Sequence, residues 1–152
     1  MRTLRIFSLI LVIALLAVPS GISAQDAELT PAQEYRGFVM SGLDAHNGAI
    51  RALVGGDVEQ PGHVLDHAIA LQGLADMLGD VFPEGSGEGT RAMAEVWQDW
   101  DGFMEKVSAL QSASGALVEA ARSGDEAAIG EAARGVGMSC RSCHQGFRAR
   151  RN

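Results

Sequence analysis

Four stretches of this chain carry apolar residues in alternating steps of three and four, and that spacing admits little besides helices packed side by side. On a 3.6-residue helix such steps fall on one face, so each stretch has one seam to bury. The first seam reads Arg36, Val39, Leu43, His46, Ile50 and Leu53, and the second Val64, Ala68, Leu71, Ala75, Leu78 and Phe82. The third reads Trp100, Phe103, Val107, Leu110, Ser114, Leu117 and Ala121, and the fourth Ile129, Ala133, Val136, Cys140, Cys143 and Phe147. Thr30-Pro31-Ala32-Gln33 opens the first helix with a capping threonine, a proline at the first position and a glutamine three along. Gly55-Gly56 closes it. Short links at 55–60 and at Ser123-Gly124-Asp125 make neighbours antiparallel, so the expected fold is all-α, an up-down-up-down four-helix bundle. The link from Pro83 to Thr90 is longer and glycine-rich, with a short helical turn expected at 91–97. Loops of this kind tend to cover something.

A length of 152 residues suits one domain. With 47% apolar residues and 5% aromatics, the core must be aliphatic and alanine-rich, which favours helix over sheet. Twelve basic and nineteen acidic residues give a net charge of −7, which argues against a nucleic-acid partner, since phosphates need a basic footprint. Arg2 and Arg5 precede an apolar run from Ile6 to Val18, followed by Pro19-Ser20-Gly21 and the small-residue site Ile22-Ser23-Ala24. This reads as a secretory signal, residues 1–24, cleaved between Ala24 and Gln25. The run of about 13 residues is short of the roughly 20 a membrane span needs, so no span is expected after removal. Residues 25–152 are then one acidic, exported domain, periplasmic in a bacterium.

The chemistry centres on Cys140-Arg141-Ser142-Cys143-His144. Two thiols three apart on a helix face one way and can add to the two vinyl groups of a single haem, and the adjoining imidazole reaches the iron from the same side. A dithiol redox centre normally sits at a helix N-terminus, where the dipole lowers the thiol pKa. This pair lies near the end of the last helix. Structural zinc would need two more ligands at suitable spacing, and none is near. One covalent haem c is therefore expected, through Cys140 and Cys143, with His144 on the iron.

Helix geometry locates the opposite wall. Cys143 and His144 lie about seven residues, roughly 10 Å, from the end of the last helix. The same level on the first helix, which runs the other way, falls at Gly37 to Met40. Phe82, the glycine-rich loop, Trp97 and Trp100 share this end. Arg36 occupies a seam position, and a buried arginine needs an anion, for which a haem propionate is the natural partner. If the helix start frays, Arg36 simply reaches solvent. Met40, one turn further in, is either a sulfur ligand or the filler that keeps the sixth iron position empty. His46 lies about 9 Å deeper and reads as a satisfied core histidine. His63 and His67 have metal-ligand spacing but flank the seam, and they read as surface residues. The basic tail Arg148-Ala149-Arg150-Arg151 complements the helix dipole, and Arg148 could also stand near the haem.

With these residues in place, the chain resembles the cytochrome c′ family over nearly all of the mature sequence. The resemblance rests on Tyr35-Arg36 with a bulky residue at Met40 and on Thr90-Arg91-Ala92-Met93-Ala94-Glu95-Val96-Trp97. Most specific is the run from Val136 through Cys140, Cys143 and His144 to Phe147-Arg148. It implies iron held by His144 alone, five-coordinate and high-spin. It implies Arg36 on a propionate, Thr90 approaching from the loop, Met40 as apolar blocker, and Phe147 and Arg148 on the proximal side. Nitric oxide and carbon monoxide would be the ligands, in preference to oxygen. Homodimers packed through the first two helices are also implied. Gly37 departs from the family pattern, in which a polar side chain often stands there. A distal space without a hydrogen-bond donor fits such selectivity, because the polar Fe–O₂ unit would go unstabilised. The alternative is a low-spin electron carrier of the cytochrome c-556 type, with Met40 as sixth ligand. A third is a haem-free binding module with redox-active cysteines. No nucleophile–base pair or paired carboxylates suggest an enzyme, and the redox partner is unspecified.

Overall fold

The computed structural model describes residues 28–150, and the expected signal segment lies outside them. Five helices follow one another: α1 (Pro31–Val54), α2 (His63–Asp76), α3 (Glu95–Gln98), α4 (Trp100–Ser123) and α5 (Glu126–Phe147). The four long ones form the expected bundle. α1 packs on α2 and α5, and α4 packs on the same two, so α1 and α4 lie on one diagonal and α2 and α5 on the other.

The ends form where side chains can satisfy the first N–H groups. Thr30 and Gln33 make a full capping box: the Gln33 N–H donates to Thr30 Oγ1 at 3.4 Å, and the Thr30 N–H donates to Gln33 Oε1 at 2.8 Å. Asp99 caps α4 through the Gly102 N–H. Asp125 caps α5 through the N–H groups of Ala127 and Ala128. Gly124 ends α4 in the left-handed region at φ 73°, where a Cβ would be strained.

The four seams meet in one core. Ile50, Leu71, Phe103, Val107, Leu117 and Val136 are its most deeply buried large side chains. Each contributes roughly 1.5–3 kcal/mol through removal from water. Ser114, on the α4 seam, is fully buried, yet its hydroxyl donates to the Gln111 carbonyl at 2.8 Å and costs little.

Two expectations about local structure need correction. The second seam continues to Phe82, but the helix stops at Asp76. Leu78, Val81 and Phe82 are buried from successive turns rather than from a helix. The helical turn expected at 91–97 is present as the single turn of α3, but it begins only at Glu95, and residues 91–93 are held by backbone pairing instead. The cause is long-range. The Met93 N–H donates to the Phe147 carbonyl at 3.0 Å, the Ala149 N–H donates to the Arg91 carbonyl at 2.9 Å, and Ala92 bridges Arg148 antiparallel. The end of α5 is thereby stitched to the connection between α2 and α4.

Candidate haem site

Residues 83–93 form a strap across one end of the bundle, tied to α5 by those bonds and to α1 by side chains. Gln33 Nε2 donates to the carbonyls of Ser86 (3.2 Å) and Glu88 (2.8 Å). Arg36 is only 6% exposed. Its Nη1 donates to Ser86 Oγ at 2.7 Å, and its Nη2 donates to the Ser86 carbonyl at 2.7 Å and to Thr90 Oγ1 at 3.4 Å. Thr90 in turn donates to the Gly87 carbonyl at 2.7 Å. The guanidinium lies over the Phe82 ring, 4.8 Å from its centroid, a cation–π arrangement. Every one of these partners is neutral. Among the described residues the one ion pair is Arg122–Glu119 on the far side of α4, so the Arg36 charge is buried without a carboxylate. Burial pulls its pKa below the ordinary arginine value.

The strap rests on an aromatic cluster. Trp97 Nε1 donates to the carbonyls of Phe82 and Pro83, both at 3.1 Å. Phe103 is packed by Phe82 at 4.8 Å, Trp100 at 5.4 Å and Phe147 at 5.4 Å between ring centroids. Gly87 lies so close to the indole that a Cβ there would stand 2.7 Å from Trp97 Cζ3.

Beneath the strap, α5 presents Cys140, Cys143 and His144, all half-buried, and both thiols are free. Cys140, Cys143 and Phe147 from α5 and Met40 from α1 pack against the same core. Burial raises the Cys140 thiol pKa, helped by the Asp44 carboxylate and opposed by a backbone hydrogen bond. Burial likewise raises that of Cys143, with Cys140 adding to it and Lys106 and Arg148 opposing. His144 moves the other way: burial lowers its pKa, Arg148 and Arg91 lower it further, and Asp44 opposes. The imidazole is therefore held neutral, the form with a lone pair for a metal. Asp44 of α1 acts on both Cys140 and His144 of α5, and the two helices pack together.

These residues fit a covalently held porphyrin. Two free thiols share a helix face, a neutral imidazole adjoins the second, and a buried cation lacks a counter-anion. Among the described residues no group of three or more His, Cys, Asp or Glu is disposed to hold a metal ion. Ser86 and the second role of Gln33 escaped the sequence reading. The signal was available in the question of what accepts from a buried Arg36. His46 is half-buried and paired as expected, but its partner corrects a reading. His67 is not a free surface residue: the two Nδ1 atoms are 2.9 Å apart across α1 and α2. His63 is exposed.

The Cytochrome C′ family model matches residues 31–148, from the first turn of α1 to the end of α5. The chain belongs to the cytochrome c′ family. Cytochromes c′ bind haem c covalently, and the two cysteines needed are present here. Cytochrome c′ of Rhodospirillum rubrum is 34% identical over 143 residues, covering 93% of this chain and 97% of its own. The crystal structure of cytochrome c′ from Rubrivivax gelatinosus superposes with a TM-score of 0.73 at 27% identity, covering 78% of this chain and 94% of that one. The nitric oxide complex of a mutant cytochrome c prime from Alcaligenes xylosoxidans gives 0.74 at 28% identity, with 79% and 94% covered.

Proposed function

We propose that this protein is an exported, periplasmic cytochrome c′ that binds nitric oxide and carbon monoxide at a five-coordinate, high-spin iron and can pass one electron. The observation that carries the proposal is the pairing of walls. A neutral imidazole stands on α5, and on α1, which packs against α5, a methionine thioether that offers no hydrogen-bond donor is packed against the same core as Cys140 and Cys143. In this reading Cys140 and Cys143 hold the haem and His144 is the protein ligand to iron. Bound haem supplies an iron that changes oxidation state by one electron and accepts a diatomic ligand.

The chain's own residues supply selectivity. Met40 fills the distal space, so an incoming gas must displace it, and it cannot stabilise a polar oxygen adduct. Arg36, aimed by Ser86 and Thr90, offers its uncompensated charge to a propionate. Phe147 and Arg148 line the proximal side, where Arg148 disfavours protonation of His144. Binding and electron exchange are its proposed roles. A secretory origin rests on the sequence of residues 1–24; among the described residues no helix is long and apolar enough to cross a membrane. A homodimer through α1 and α2 would cover Phe38, which is 73% exposed, together with Tyr35 and Ile69.

The test is the ferric visible and EPR spectrum of the purified holoprotein, followed by titration with nitric oxide and carbon monoxide. High-spin iron that takes both gases is the expected result. Low-spin iron with a methionine-type signature would make Met40 the sixth ligand and the protein an electron carrier of the c-556 kind.

A further inference from the structure

The charge of this chain is divided unevenly. Residues 132–152 hold five arginines and no carboxylate, in a protein whose net charge is −7. Folding adds to this asymmetry. The bridge between Ala92 and Arg148 and the bond from the Ala149 N–H to the Arg91 carbonyl bring Arg91 beside the end of α5. Lys106 of α4 lines one groove with Ser139 and Ser142 of α5, with Glu105 beside it. Arg91, Arg141, Arg148 and Arg150 are all exposed, and none is in an ion pair among the described residues. Complementing the dipole of α5 accounts for charge in the last turn only, because the effect fades within a turn. It does not account for Arg141, or for Arg91 arriving from another segment. Like charges held together repel, so an unneutralised cluster is kept at some cost to the fold.

Arg91 and Arg148 lie near His144 and outnumber the one carboxylate acting on it, Asp44, while Arg141 stands in the same helix between Cys140 and Cys143. We propose that this face is the docking surface for an acidic electron-transfer protein, which the local positive field draws in and orients against the α5 edge of the site. The proposal rests on the haem placement given above. Net charge alone would repel such a partner. The local field reverses that over distances shorter than the Debye length, about 8–10 Å at physiological salt, within which the partner is oriented before contact.

Two measurements on the holoprotein test this. In the first, the ferrous protein is oxidised by hexacyanoferrate(III), an anion, and by tris(phenanthroline)cobalt(III), a cation, across a range of ionic strength. The expected result is that the anion's rate falls about tenfold between low and high salt while the cation's does not fall. Arg141→Glu with Arg150→Glu should abolish that fall. An anion rate that rises with salt, as the net charge dictates, overturns the proposal. In the second, polyglutamate is titrated at low salt and followed by amide NMR shifts. Shifts confined to the α5 end and residue 91 are expected and should vanish in the double variant; no shifts, or shifts elsewhere, overturn the proposal. Should Arg141→Glu impair haem attachment, Arg91→Glu with Arg150→Glu takes its place. Failure of the haem reading would show separately, as a chain without covalent haem.

Discussion

Replacing Arg36 by methionine removes the one charged group that ties α1 to the strap while keeping most of its volume. The two hydrogen bonds at 2.7 Å from a charged donor are worth about 1.5–3 kcal/mol each, and stacking on Phe82 about 0.5–2 kcal/mol. The Ser86 hydroxyl loses its donor, whereas the Ser86 carbonyl keeps Gln33. Against this, a buried charge no longer has to be desolvated, which returns about 1–3 kcal/mol. The net expectation, at the middle of these ranges, is a loss of about 4 kcal/mol, or roughly 12–16 °C in Tm for a domain of this size. Urea and thermal unfolding of the two holoproteins measure it. Loss of a cation beside the haem also favours the ferric state, so the reduction potential should fall. A variant equal to the parent or more stable would refute the reasoning, because it would mean that the neutral partners do not repay burial of the guanidinium. An unchanged potential would refute the propionate contact separately.

Met40→Ala should leave the ferric protein high-spin and should speed and strengthen carbon monoxide binding, seen by stopped-flow; an unchanged affinity would remove Met40 as the blocker. Trp97→Phe gives up two carbonyl partners of the indole and should cost about 1–2 kcal/mol in urea unfolding, with strap amides exchanging faster. In a haem-free chain, His144 has a folded pKa below its ordinary 6.5. The unfolded chain then binds more protons in the window just below that value, so stability is present above it and is lost as pH falls through the window. His144→Gln should flatten that part of the pH–stability curve. The half-buried Cys140 and Cys143 thiols of the same chain, with raised pKa values, should react with iodoacetamide at neutral pH more slowly than an exposed cysteine does.

What could be read from the sequence was what is local. Thr30 and Gln33 mark the start of α1, Asp125 marks that of α5, and the three-four spacing fixes which face each helix buries. The motif from Cys140 to His144 needs only one helix to present it. The errors arose where a distant segment decided the outcome. Periodicity reports burial, so Leu78 and Phe82 looked helical although successive turns bury them equally well. Residues 91–93 are extended because Phe147 and Ala149 pair with them, over fifty positions along the chain. His67 was read as a surface group because nothing in α2 announces that His46 waits on α1. Ser86, flanked by glycine in a loop, carries no local sign that it will hold an arginine.

Gly87 sets the headroom of the whole arrangement. The indole of Trp97 is anchored to two backbone oxygens and cannot easily retreat, and Gly87 leaves only the width of a missing methyl between them. Adding a single carbon there would lift the cover and, with it, Ser86 and Thr90 away from Arg36. The close seating of the strap on the indole thus depends on an atom the chain does without.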